Sequence, residues 1–147
     1  MSIHSISPDD YIACTTTINR FSMLVDTGQY EEASLMFSSD GGLQRPNERI
    51  EGRAALLESL QARPVHRLTR HVLSNTTLSF VRTGVIQAHS YVSVYRHLGA
   101  SGSAIHLPVA AKAPETLAEY QDELRWTDGA WRLWQRNVVP IFDSSPR

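Results

Sequence analysis

Residues 66–80 read HRLTRHVLSNTTLSF, a run rich in β-branched and aromatic side chains and free of Gly and Pro. That composition predicts a long strand rather than a helix. Alternation along a strand places His71, Leu73, Asn75 and Thr77 on one face, and Val72, Ser74, Thr76, Leu78 and Phe80 on the other. One face thus carries a histidine and an amide in mid-strand, and it either meets solvent or walls a cavity. Further long strands are expected over residues 85–96, 117–126 and 131–142, joined by Arg82-Thr83-Gly84 and by the hairpin signal Asp128-Gly129. On the second strand Gln87, His89, Tyr91, Ser93 and Tyr95 oppose Ile86, Ala88, Ser90, Val92 and Val94.

The N-terminal third has helical spacing instead. Ser7 can cap, Pro8 fits a first turn, and Asp9 and Asp10 suit the positive end of a helix dipole. Tyr11, Cys14, Ile18, Phe21 and Val25 then form one stripe, ending near Asp26-Thr27-Gly28. A short helix over 30–37, a turn cluster at Ser38-Ser39-Asp40-Gly41-Gly42, a short strand or hairpin over 43–50 broken by Pro46-Asn47, and a third helix between Gly52 and Pro64 complete the pattern. Helices leading and strands trailing predict an α+β fold with helices packed on one face of a curved antiparallel sheet.

Composition narrows the setting. The chain has 147 residues, which suits a single domain over 1–147 with a flexible start at 1–6 and a long loop at 99–116. That loop is either plainly mobile or a lid or contact element. With 14 basic against 15 acidic residues and no basic block, nucleic acid is not an expected partner. Cys14 is the only cysteine, which excludes an internal disulfide and a paired-cysteine zinc site and suits a reducing cytoplasm. The start MSIHSISPDD lacks a signal-peptide pattern, and no run of about 18 apolar residues suggests a membrane span.

Several stretches carry a family resemblance. FSMLVDTGQYEEASLMFSSDG is similar to a helix ending at Asp-x-Gly followed by an aromatic-Glu helix, and RIEGRAALLESL to a Gly-Arg helix entry. TRHVLSN resembles an Arg-His-x-x-x-Asn strand, and YQDELRWTDGAWRLWQR a closing hairpin. Together these resemble the SnoaL-like branch of the NTF2-like superfamily, from Tyr11 to Phe142. The resemblance implies a cone-shaped α+β barrel, also described as cystatin-like, whose bent sheet wraps the N-terminal helices and leaves a pocket at one end. It also implies a homodimer or homotrimer through the sheet, no cofactor, and an activity among dehydration, isomerisation and cyclisation, or a non-catalytic role such as that of aromatic-ring dioxygenase small subunits. The fold does not choose among these.

His71 is the first candidate catalytic group, because imidazole exchanges protons at neutral pH. A structural strand histidine is the alternative. The resemblance makes Asp26 its partner, since an Asp–His pair fixes the tautomer and strengthens the base. Asp26 otherwise reads as a helix-end residue. Dehydratases of the family carry a Tyr about five residues before this aspartate, where this chain has Phe21. Tyr91, Tyr95 or Tyr120 would have to supply a phenol from the sheet. Phe21, Asn75, His89, Tyr91 and Arg136 are the candidate substrate contacts. His89 reads equally as a rim residue, Asn75 as a strand hydrogen-bonding residue, and Arg136 as half of an ion pair with Asp122 or Glu123. No ligand spacing points to a metal site. The expected substrate or ligand is a hydrophobic cyclic or polyketide-like molecule.

Overall fold

The computed structural model describes residues 5–144. Helix α1, Pro8–Asp26, starts as its sequence demands, with the Ser7 hydroxyl accepting from the Asp10 N–H at 3.1 Å. It ends at Thr27, and Gly28 takes the left-handed conformation (φ 75°) that a residue with Cβ resists. Its buried side begins at Cys14 and runs through Ile18, Phe21, Leu24 and Val25, whereas Tyr11 is 45% exposed and does not join the stripe. Of the expected flexible start, residues 1–4 lie outside the described residues, and Ile6 packs against the core.

Helix α2 is shorter than expected, Tyr30–Ser34, and Phe37 opens strand β1 (Phe37–Arg45). The Ser38–Gly42 cluster is therefore strand and not turn. The glycines serve close approach rather than reversal: a Cβ on Gly42 would stand 2.7 Å from the Ile50 carbonyl oxygen. Gly42→Ala is expected to cost about 1–3 kcal/mol, read from urea denaturation. Strand β2, Glu48–Glu51, completes a hairpin with β1, and helix α3, Arg53–Gln61, buries Leu56 and Leu60.

Strands β3 (Arg67–Arg82), β4 (Val85–Leu98), β5 (Thr116–Thr127) and β6 (Ala130–Asp143) form the expected antiparallel meander. The sheet order is β2-β1-β6-β5-β4-β3, and β1 joins β6 in parallel, so the sheet is not antiparallel throughout. Its two ends, β2 and β3, do not pair, so the curved sheet that wraps the N-terminal helices is left unclosed. The helices cover its inner face, where Phe37, Ile86, Leu124 and Leu133 meet Ile18 and Leu56.

The simple alternation expected for β3 fails at Asn75. Register slips between Ser74 and Thr77, and Asn75 adopts φ 54°. This is a bulge, in which one extra residue flips every later side chain to the opposite face. Asn tolerates the left-handed region better than most residues with a Cβ. Thr69, His71 and Leu73 point inward before it, and Thr76, Leu78 and Phe80 after it, while Asn75 and Thr77 are exposed. Among the described residues, no helix is long and apolar enough to cross a membrane.

Candidate functional site

Asp26 is the last residue of α1, and its carboxylate points across to the start of β3. Oδ2 accepts the backbone N–H of His71 at 2.8 Å, and Oδ1 lies 2.6 Å from Nδ1 of the same residue. The Thr69 hydroxyl donates to Oδ1 at 2.9 Å and itself accepts from Arg63 at 2.9 Å. A carboxylate gripped by both the backbone and the ring of one residue fixes that ring in place. Burial pushes the Asp26 pKa up, but the hydrogen bonds and charge of His71, with the Thr69 hydroxyl, outweigh it and hold the carboxyl below its ordinary value. The ionised carboxylate can only accept, so Nδ1 carries the proton and donates it in a hydrogen bond to Asp26, which leaves Nε2 facing away as the acceptor.

A depressed folded-state pKa gives stability that is present above the ordinary value of 3.8 and lost as pH falls through the folded value. The stability difference between the natural protein and Asp26→Asn is thus expected to be flat near neutral pH and to shrink below about pH 4, read from denaturant midpoints across pH.

His71 stands in the wall of a cavity of about 1040 Å³ between the helices and the inner face of the sheet. Phe21 and Val25 of α1, Leu56 and Leu60 of α3, and Val92 and Val94 of β4 give it apolar walls. Such a wall with a few placed polar groups is the usual make-up of a small-molecule site. A second hollow of about 520 Å³ lies over Thr77, Gln87, His89 and Gln121, away from the dyad.

Of the other residues that the sequence singles out, Phe21 and Arg136 reach the large cavity and Asn75, His89 and Tyr91 do not. Asn75 is turned out by the bulge. His89 and Tyr91 are on the outer face, where His89 Nε2 lies 3.0 Å from Glu119 and Tyr91 is 39% exposed. Arg136 forms the ion pair that the sequence offers as one of its two readings, and it also faces the cavity. It grips Asp122 through two bonds of 2.8 Å in full burial, while its Nη1 has no hydrogen-bond partner. Burial works against its charge, and Asp122 overcompensates, raising its pKa.

Tyr120 is not among the primary candidates from sequence, yet it lines the cavity with its ring 3.9 Å from the Arg136 guanidinium carbon. Burial raises the pKa of its phenol against the opposing charge of Arg136, so it stays protonated and can donate. The signal available in sequence is its inward register on β5, two residues before Asp122. Cys14 is no nucleophile: burial, with the charge of Asp10, pushes its thiol up to about 12. Among the described residues, no group of three or more His, Cys, Asp or Glu could hold a metal ion.

No functionally curated protein matches the sequence. A Novosphingobium aromaticivorans protein provisionally assigned as a scytalone dehydratase shares 21% identity, with 95% of this chain and 90% of that one covered at a TM-score of 0.76. ActVI-ORFA from Streptomyces coelicolor shares 26% identity, covering 88% of this chain and 96% of that one, at 0.70. An NTF2-like protein with a cystatin-like fold, also from N. aromaticivorans, shares 20% identity, covering 93% and 84%, at 0.72. The family model for the SnoaL-like domain matches residues 8–137, which takes in every element from α1 into β6, and the chain belongs to that family.

Proposed function

We propose that the protein is a cofactor-independent enzyme that removes water from a hydrophobic cyclic β-hydroxy ketone, with His71 and Asp26 as the proton-transfer pair. The observation that carries this reading is the 2.6 Å contact between them at the wall of a cavity large enough for a fused ring system. The provisional assignment of a structural neighbour as a scytalone dehydratase agrees with it. His71 Nε2 takes the proton next to the ring carbonyl. The electron pair of that C–H bond becomes the new C=C bond as the β C–O bond breaks, and the departing hydroxyl leaves as water with the proton held by His71. Asp26 stabilises the imidazolium between the two transfers. Tyr120 donates to the carbonyl oxygen, replacing the phenol that Phe21 lacks, and Phe21 and Arg136 complete the substrate contacts. The same pair would serve isomerisation or cyclisation, which share the first step.

A test is conversion of β-hydroxytetralone to the fluorescent α-naphthol. The expected result is turnover by the natural protein and a rate lower by about 10²–10⁴ with His71→Ala. Binding of the ketone without α-naphthol from either protein would leave a ligand-binding or accessory role in its place.

The reading includes a homodimer through the outer face of the sheet, which leaves Val72, Tyr91 and Tyr95 39–52% exposed. Isolated apolar residues are normal on surfaces, but a contiguous patch marks an interface. Tyr91→Glu/Tyr95→Glu is expected to shift the protein to monomer in sedimentation. A natural protein that sediments as a monomer at high micromolar concentration would sink this part.

A further inference from the structure

The proposed chemistry uses His71, Tyr120, Phe21 and Arg136 and leaves four further arginines of the same cavity unexplained. Arg45, Arg63, Arg67 and Arg96 all line the same cavity as His71. Two are matched: Arg45 by Glu48 at 3.1 Å, and Arg96 by Glu115 at 2.9 Å. Arg63 and Arg67 pair with no carboxylate among the described residues. Arg63 has a neutral partner, the Thr69 hydroxyl, and the Nε of Arg67 is buried with no hydrogen-bond partner at all.

The cations are neighbours by construction. Arg67 and Thr69 share the inward face of β3, and Thr69 stands opposite Arg96 on β4. Burial, then the charges of Arg96 and Arg63, lower the pKa of Arg67, and the charge of Glu115 only partly offsets them. A buried donor without an acceptor costs free energy, and so does gathering like charges. A bound oxyanion removes both costs, and guanidinium groups match carboxylate and phosphate oxygens in pairs.

We propose that Arg63 and Arg67, with Arg96 beside them, form an anion subsite in the wall of the cavity, and that the ring compound processed at His71 carries a carboxylate or phosphate that docks there. This rests on reading the cavity as the substrate site. Thr69 ties the two ends together, because it accepts from Arg63 and donates to Asp26. The anchored end of the substrate is thereby held in register with the proton-transfer pair.

Equilibrium binding of α-naphthoate, its neutral amide and α-naphthyl phosphate to the full chain tests this without requiring turnover. The natural protein is expected to bind at least one anion about tenfold or more tighter than the amide, with the preference falling as salt rises. The stronger of the two anions identifies the group as carboxylate or phosphate. Arg63→Gln/Arg67→Gln is expected to abolish the preference while leaving amide binding within about twofold, and Arg67→Lys to retain part of it. His71→Ala is expected to keep the preference, so that a failed dyad and a failed anion subsite give different results. Equal affinity for all three probes, no binding of any at millimolar concentration, or a preference that survives the double substitution would overturn the proposal.

Discussion

His71→Ala is expected to lower kcat for the turned-over β-hydroxy ketone by about 10²–10⁴, the usual contribution of a positioned acid–base group, with little change in KM. The loss falls on kcat because His71 is one of many residues that line the cavity and supplies no large share of its binding surface. Its acid–base role also predicts a signature that mere scaffolding would not give. Added imidazole should restore part of the rate of His71→Ala, because it supplies the missing proton-transfer group, and should not speed the natural protein. Asp26→Asn is expected to lower kcat as well, because an amide presents no charge to the imidazolium and leaves the ring free to turn over to the other tautomer. A His71→Ala rate that imidazole left unmoved and that matched the natural protein would assign the proton transfer to another group.

Arg136→Met should cost about 3–5 kcal/mol of folding stability, a larger loss than that expected for Gly42→Ala. The guanidinium is 1% exposed, its partner carboxylate on Asp122 is fully buried, and two bonds of 2.8 Å join them. Removing the cation strands Asp122 as a buried charge with no partner. Methionine fills much of the same volume, so the loss reports the charge and not a void. The paired exchange Arg136→Met/Asp122→Leu is expected to recover most of it, because a buried ion pair gains little over well-packed apolar groups. Urea denaturation of the natural protein, the two single variants and the double variant at neutral pH gives the coupling directly. If the single and double exchanges proved equally unstable, the cost would lie in packing around Tyr120 and Phe21.

The meander from β3 to β6 was legible in the sequence because two-residue periodicity and turn chemistry agree there: Gly84 and Asp128-Gly129 fall where the strands reverse. The α1 boundaries were equally plain from Ser7, Pro8 and Gly28. Two things were hidden. Strand β1 looked like a turn because glycine marks both reversal and close approach, and only the position of the Ile50 carbonyl distinguishes them. The bulge at Asn75 was hidden because an inserted residue leaves local composition unchanged while inverting the face of all that follows. The site divides in the same way. His71 and Asp26 came from motif resemblance, and their contact depends on a helix end meeting a strand 45 residues away, which no local pattern encodes. Choosing Tyr120 over Tyr91 needed the sheet's curvature, since both alternate cleanly on their own strands. The Arg63–Arg67 pair is ordinary in sequence and becomes unusual only when its carboxylates are counted in space.

Strand β3 is also the rim of an unclosed sheet, 16 residues long, and among the described residues no other strand pairs with its outer side. A bare edge of that length is a template on which a second chain could add a strand and begin aggregating. Two devices already described interrupt it. Asp26 occupies the outward amide of His71, so the first half of the edge is capped by the same carboxylate that orients the imidazole. The bulge at Asn75 bends the strand and breaks the row of hydrogen-bonding groups before the second half. Loss of the Asp26 side chain would therefore disable the site and also uncover a sticky seam. Variants at this position should be watched for precipitation on storage as well as for lost turnover.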